Sequence, residues 1–287
     1  MSKGARRWIT PRRLLAGVLG LLLVLVAVRE TFEPFLTLFI DDVLRPKPAP
    51  QVVKLTDQTA LRLYTDTRPH IGKIASLQKG LVLERAGRRL VEEGYGFGLP
   101  LVVAGGVPHN ARHAEVLRPA PDVLIKRYVL DIADRPVQPL RRKYQPVTPL
   151  GTVTVTYTVR PPDLITVTAD FTGLEVAWDA VYLMNEQGAR AFTRYRDPTG
   201  QTWTGADVGI WQQTQAPFGC WEAPEHGVRF CVEAPAGHPG FVGRERYNQY
   251  NWLGIYYLSW SGIDLEIAAP QDTFMYTIRV RRIPDVP

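Results

Sequence analysis

The chain is poor in cysteine and in serine. Two cysteines among 287 residues exclude a small disulfide-stapled scaffold. The four serines, Ser2, Ser76, Ser259 and Ser261, sit in no Gly-x-Ser-x-Gly elbow, which argues against serine-hydrolase chemistry. A Gly-x-x-x-x-Gly-Lys phosphate loop is absent. Gly94-Tyr95-Gly96-Phe97-Gly98 is followed by no helical pattern and reads as a β-turn or bulge rather than a dinucleotide fingerprint, so no cofactor is expected. His109 and His113, four residues apart, are flanked by Pro108 and Asn110 in what reads as a loop. No third ligand accompanies them, and no metal site is assigned. A field of one charge is also missing from the body of the chain. The net charge is +6, but residues 1 to 13 carry Lys3, Arg6, Arg7, Arg12 and Arg13 without an acid, leaving 29 basic and 28 acidic side chains in the rest. A near-neutral body with a basic tail does not point to a nucleic-acid partner.

Only one long apolar run is present, Leu14 to Val28, 15 residues without a charge, ending at Arg29 and Glu30. As a helix it would be about 22 Å long, and Arg12 and Arg13 can snorkel at its end to extend its reach across a membrane. Cleavage after Ala27 would place Leu25 at the −3 position, which fits a signal peptidase poorly, so the segment reads as an uncleaved signal anchor. The basic flank then keeps the N-terminus cytoplasmic and places the bulk of a single-pass protein outside the cell membrane. Residues 29 to 50 form a stalk and a Pro-rich linker, Arg45-Pro46-Lys47-Pro48-Ala49-Pro50, whose alternating prolines favour an extended spacer. The expected domains are therefore a cytoplasmic tail (1–13), an anchor helix (14–28), the stalk (29–50) and one extracytoplasmic domain (51–287).

That domain reads as antiparallel β-structure. In Thr152-Val153-Thr154-Val155-Thr156-Tyr157-Thr158-Val159 the apolar residues fall on one face and four threonines on the other. After the turn Pro161-Pro162-Asp163 the alternation resumes at Ile165, Val167, Ala169 and Phe171, which predicts a hairpin with one buried face. Phe274, Tyr276, Ile278 and Val280 repeat the pattern near the C-terminus. Shorter strands are expected over Gln51 to Leu55, Ala60 to Tyr64, Leu124 to Ile132, Val176 to Met184 and Gly227 to Glu233. The fold class is thus all-β, an antiparallel sandwich preceded by a single transmembrane helix.

Cys220 and Cys231 flank the turn residues Pro224 and Gly227, so outside the cytoplasm they are expected to close a hairpin as a disulfide. Carboxylates are the remaining chemical option. Glycoside cleavage needs two acids roughly 5 to 9 Å apart. Glu186, Glu222 and Glu225 lie beside aromatic or turn residues, and His226 is the accompanying proton-donor candidate. The catalytic candidates are thus Glu186, Glu222 and His226, against the alternative that each is a surface group.

Seven aromatics, Phe241, Tyr247, Tyr250, Trp252, Tyr256, Tyr257 and Trp260, fall within 20 residues, beside Arg244, Arg246, Asn248, Gln249 and Asn251. Flat rings next to amide and guanidinium donors suit a sugar, whose C–H faces stack while its hydroxyls accept hydrogen bonds. Arg246, Tyr247, Asn251, Trp252 and Tyr256 are the ligand-binding candidates. The alternative is that the large rings only fill the core.

The segment His70-Ile71-Gly72-Lys73-Ile74-Ala75-Ser76-Leu77, then Lys79-Gly80 and Leu81-Val82-Leu83, resembles the early strand pattern of galactose-mutarotase-like proteins. The later order is similar too: the 152–171 hairpin, Ala177-Trp178, and Leu183-Met184-Asn185-Glu186. The resemblance implies a β-supersandwich over 51–287, in a superfamily that covers sugar epimerases, glucan-processing periplasmic proteins and the periplasmic domain of membrane-protein insertases. Its paired histidines and C-terminal carboxylate base do not map onto this chain. The expected function is membrane-anchored binding, and in its stronger form processing, of a cell-envelope carbohydrate. The alternative is a non-catalytic envelope assembly module that grips a protein.

Overall fold

The computed structural model describes residue 20 and residues 50–63, 81–91, 97–138, 141–188, 191–204, 210–214, 218–251 and 254–283. The expected anchor, Leu14 to Val28, lies outside them. Among the described residues no helix is long and apolar enough to cross a membrane. Backbone contacts divide the chain into two units, Met1–Pro46 with Asn248–Tyr256, and Lys47–Tyr247 with Tyr257–Pro287.

Strands β1 (Gln51–Lys54), β2 (Thr59–Leu63), β3 (Leu81–Arg85) and β4 (Arg88–Val91) form a four-stranded antiparallel sheet in that order. The remaining strands are β5 (Leu99–Ala104), β6 (Val107–Ala120), β7 (Val123–Gln138), β8 (Arg141–Pro146), β9 (Thr152–Arg160), β10 (Leu164–Asp170), β11 (Ala180–Met184), β12 (Glu186–Gly188), β13 (Arg194–Arg196), β14 (Thr202–Trp203), β15 (Ile210–Thr214), β16 (Phe218–Ala223), β17 (Val228–Glu233), β18 (Gly240–Asn251), β19 (Gly254–Ala268) and β20 (Thr273–Arg282). They join in one long sheet ordered β14-β13-β16-β17-β20-β10-β9-β7-β6-β5-β11-β19-β18-β15, with β12 on β19 and β8 on β7.

This sheet folds over on itself. The Tyr276 hydroxyl of β20 donates to Asn185 Oδ1, just after β11, at 2.8 Å, although β10, β9, β7, β6 and β5 lie between those strands in the sheet order. Trp221 Nε1 of β16 likewise donates to the Gly262 carbonyl of β19 at 2.9 Å. Both bonds cross the interior, so the strands make two facing layers, an all-β antiparallel sandwich. Alternation builds the core between them. In β9 Val153, Val155, Tyr157 and Val159 are buried, in β10 Ile165, Val167 and Ala169, and in β20 Phe274, Tyr276, Ile278 and Val280. They pack in one cluster with Val181 and Leu183 of β11 and Ile263, Leu265 and Ile267 of β19. Each large side chain buried this way contributes roughly 1.5–3 kcal/mol of transfer free energy.

Glycine fixes two tight places. At Gly98 φ is +78°, and a Cβ there would collide with the hydroxyl of buried Tyr276 of β20, so glycine suits both the backbone conformation and the close approach. Gly227, at φ +59°, closes the turn between β16 and β17 by donating its N–H to the Pro224 carbonyl at 3.0 Å. Two expectations are corrected. Strand β11 starts at Ala180 rather than Val176, because the preceding stretch turns: Leu174 N bonds the Phe171 carbonyl and Glu175 N the Leu150 carbonyl. His109 and His113 lie on strand β6, not in a loop, since its backbone pairs with β5 and β7 on both sides and Pro108 falls at its second residue.

Candidate functional site

The polar outer face of β13, β16, β17, β20, β10, β9 and β7 gathers the charge of this half of the molecule. Because every pairing among these strands is antiparallel and in register, residues of one parity form rows across them. One row runs Arg194–Glu222–Arg229–Arg281. The next runs Arg196–Cys220–Cys231–Arg279–Leu164–Arg160. Beyond it lie Glu233–Thr277–Thr166–Thr158–Val123, then Met275–Thr168–Thr156–Ile125–Leu117, then Thr273–Asp170–Thr154–Arg127–Glu115. One end of the face is thus arginine-rich and its middle is paved with threonine, each offering a hydroxyl beside a methyl group.

Three acids organise the arginines. Glu222 Oε2 accepts from Arg194 Nε and lies 3.6 Å from Arg196 Nε. Asp163, in the turn before β10, receives Arg281 Nε at 2.6 Å and lies 3.8 Å from Arg279 Nη1. Glu233 lies 3.3 Å from Arg279 Nε and accepts from the Thr277 hydroxyl at 3.4 Å. Arg229 sits between Glu222 and Arg281, directly opposite each on its neighbouring strands, and its buried Nε has no hydrogen-bond partner. The Cys220–Cys231 disulfide joins directly opposed positions of β16 and β17 next to this row, as the spacing of the two cysteines predicts.

The interior holds a second polar group. Asn185 N donates to Asp264 Oδ1 at 2.9 Å, Asn185 Nδ2 to the Leu183 carbonyl at 3.0 Å, and Asn185 Oδ1 receives the Tyr276 hydroxyl. Burial pushes the Asp264 carboxyl up to about 8, against the lowering effect of the Asn185 N–H. Burial also raises Tyr276, with Tyr157 adding to the effect. Burial raises Tyr128 and Tyr157 as well, and each phenol acts on the other's ionisation. Lys126 is only 3% exposed and its Nζ lies 4.9 Å from the Tyr128 ring centroid. This packed group lies within the core and offers no surface to a polymer.

The sequence candidates separate in space. Glu222 belongs to the outer arginine row. Glu186 lies on β12 opposite Gly262, whose carbonyl is reached by Trp221 from the inner side of β16, so it belongs to the other layer and does not meet Glu222 across a shared cleft. His226 is half-buried in the turn between β16 and β17, beside exposed Glu225. Arg246, Tyr247, Asn251 and Tyr256 are described by their backbone alone, on β18 and β19, and Trp252 lies outside the described residues. Sequence reading missed the arginines that surround Glu222. The available signal was their period of two, Arg194-Tyr195-Arg196 and Arg279-Val280-Arg281, the pattern of a charged strand face. Among the described residues no group of three or more His, Cys, Asp or Glu side chains could hold a metal ion.

No protein-family model matches the chain, and no curated protein matches it. The solved structures it is similar to include 4-alpha-glucanotransferase from Thermococcus litoralis, at 9% identity and TM-score 0.44, covering 80% of this chain and 37% of that one. Another is heparan sulfate lyase HepC from Pedobacter heparinus, at 11% identity and TM-score 0.41, covering 96% of this chain and 43% of that one. The chain thus spans less than half the length of either. These values lie below those that mark a common fold, and the chemistry of this chain is read from its own residues.

Proposed function

We propose that this chain is a β-sandwich module, tethered to the outer side of the cell membrane by Leu14 to Val28, that binds a cell-envelope carbohydrate and does not cleave it. The observation that supports this reading is the outer face itself, where threonine hydroxyls and methyls adjoin guanidinium donors in a fixed lattice. A sugar offers the complementary surface, hydroxyls in every direction and C–H patches between them. Turnover is disfavoured by the placement of the acids. Glu222 is committed to Arg194 and Arg196, and Glu186 lies in the other layer. Two carboxyls flanking one glycosidic bond, the requirement of hydrolysis, are not assembled from these residues.

The test uses the full chain in detergent, titrated with a panel of envelope and storage glycans, with tryptophan fluorescence and calorimetry as readouts. Saturable binding to one class, with no change in glycan size after prolonged incubation, is expected. Failure of every glycan to bind would refute the reading, and shortened chains would refute its non-catalytic part. A second reading, a protein-binding envelope module, draws on Leu117 and Met275, which are 48% and 58% exposed at the two ends of one row of the same face. Leu117→Ser with Met275→Ser would abolish a protein complex and leave glycan binding unchanged.

A further inference from the structure

We infer that the arginine-rich end of the outer face binds an oxyanion carried by the glycan, which makes the ligand an acidic rather than a neutral polysaccharide. The inference rests on the carbohydrate-binding reading and deepens it.

Charge is the first support. Arg160, Arg194, Arg196, Arg229, Arg279 and Arg281 stand in two adjacent rows around Glu222, Asp163 and Glu233, an excess of three positive charges over a few strands. Position is the second. Like charges at directly opposed positions of an antiparallel pair repel, and Arg229 faces Arg281 in this way. Arg281 is turned to Asp163, at 2.6 Å, whereas half-buried Arg229, set between Glu222 and Arg281, forms no ion pair with a described residue. A carboxylate or sulfate oxygen placed between the two guanidiniums would accept from Arg229 and remove the repulsion. The planar fork of arginine suits such two-point recognition better than a lysine ammonium does.

Rigidity is the third support. The disulfide ties β16 to β17 at the neighbouring row, and β17 pairs with β20 along six consecutive residues, so the spacing of Arg229 and Arg281 is set before a ligand arrives. The threonine rows continue from this corner across β20, β10 and β9. One anionic group would anchor the polymer while neighbouring sugar units lie along the hydroxyls.

The experiment compares polygalacturonate with its fully methyl-esterified form, the same sugar without the charge, and uses polyphosphate as an anion without sugar. Because the five cations of the N-terminal tail attract any polyanion, the readout is the difference between the wild-type chain and Arg229→Gln or Arg281→Gln, measured at two salt concentrations. Wild type should bind polygalacturonate about tenfold more tightly than the ester. Arg229→Gln should remove most of that preference, and Arg229→Lys should restore only part of it, with thermal unfolding confirming that each variant folds. Equal affinity of wild type for the acid and the ester would overturn the inference and leave the carbohydrate reading standing. An equal loss of polyphosphate and polygalacturonate binding in Arg229→Gln would show that the corner reads charge without sugar and would overturn it too. Binding of none of the polymers would remove both readings.

Discussion

Asp264 inside the sandwich and Glu222 on its outer face are both almost fully buried carboxyls, at 4% exposure each, and they are held by opposite means. Asp264 accepts from a backbone N–H, neighbours an amide and a phenol, and is kept protonated by burial up to about 8. Glu222 is engaged by two guanidiniums whose own side chains reach water, Arg194 at 29% and Arg196 at 55% exposure. The interior suppresses charge because burial outweighs the one backbone N–H that Asp264 accepts. On the outer face Arg194, Arg196, Arg279 and Arg281 each bridge a carboxylate and solvent. The interior arrangement serves one fold and cannot exchange partners without opening the core. The outer one reaches solvent, where the proposed oxyanion would compete with an internal carboxylate for the same arginines.

The comparison breaks most severely at the bridge between the two layers. Trp221 is 1% exposed and donates across the interior to Gly262, while Glu222, its neighbour, points to the outer row. Trp221→Ala should cost about 3–5 kcal/mol, the range for deleting a buried aromatic, and leaves the Gly262 carbonyl without its donor. Urea unfolding would measure it, and a loss under about 1 kcal/mol would show that the layers are not joined there. The disulfide follows. Replacing Cys220 and Cys231 by serine should cost somewhat under ~3 kcal/mol from the short loop it closes. The two rows of arginines should lose ligand preference in the same variant if the bond fixes their spacing.

Much of this architecture is legible in the sequence because strand alternation is a local signal. The alternation from Thr152 to Val159 and from Phe274 to Val280 predicts the faces that are found, with buried and half-buried residues in strict succession through β9. The cysteine spacing predicts the disulfide because the hairpin is short. What alternation cannot show is which strands become neighbours. Arg194 and Glu222 are 28 residues apart and meet only because β13 pairs with β16. Glu222 alone therefore resembles a candidate acid, and its role changes once the arginines are placed around it. Lys126, within the strand expected over Leu124 to Ile132, shares the inward parity of Leu124 and Tyr128 and is buried.

The interior half of the comparison is sharpened by pH. The Asp264 carboxyl has a higher pKa in the folded chain than when unfolded, so the folded state holds a proton that the unfolded state releases. Its stabilising effect is complete below about pH 4 and fades as pH rises through about 8. Asp264→Asn keeps an oxygen to accept from Asn185 N and carries no charge. The variant should therefore be the more stable of the two at pH 8, on the order of 2 kcal/mol, and its melting temperature should vary less between pH 5 and pH 8. A wild-type protein that gains stability over that interval, with the variant following it, would show that Asp264 is charged in the folded state.

The smallest effect belongs to the outer face. Arg279 is 32% exposed and is shared between Glu233 at 3.3 Å and Asp163 at 3.8 Å, so water and salt screen both attractions. Arg279→Gln should change the urea midpoint by an amount equivalent to less than about 1 kcal/mol, and less still at high salt. Arg194→Gln should cost more, because it takes the closest donor from a Glu222 carboxylate that is itself almost fully buried and leaves Arg196, 3.6 Å away, as its remaining cation. If the two variants lost equal stability, Glu222 would be as well hydrated as Glu233, and the contrast between a neutral interior carboxyl and a charge-held outer one would reduce to a difference in depth alone.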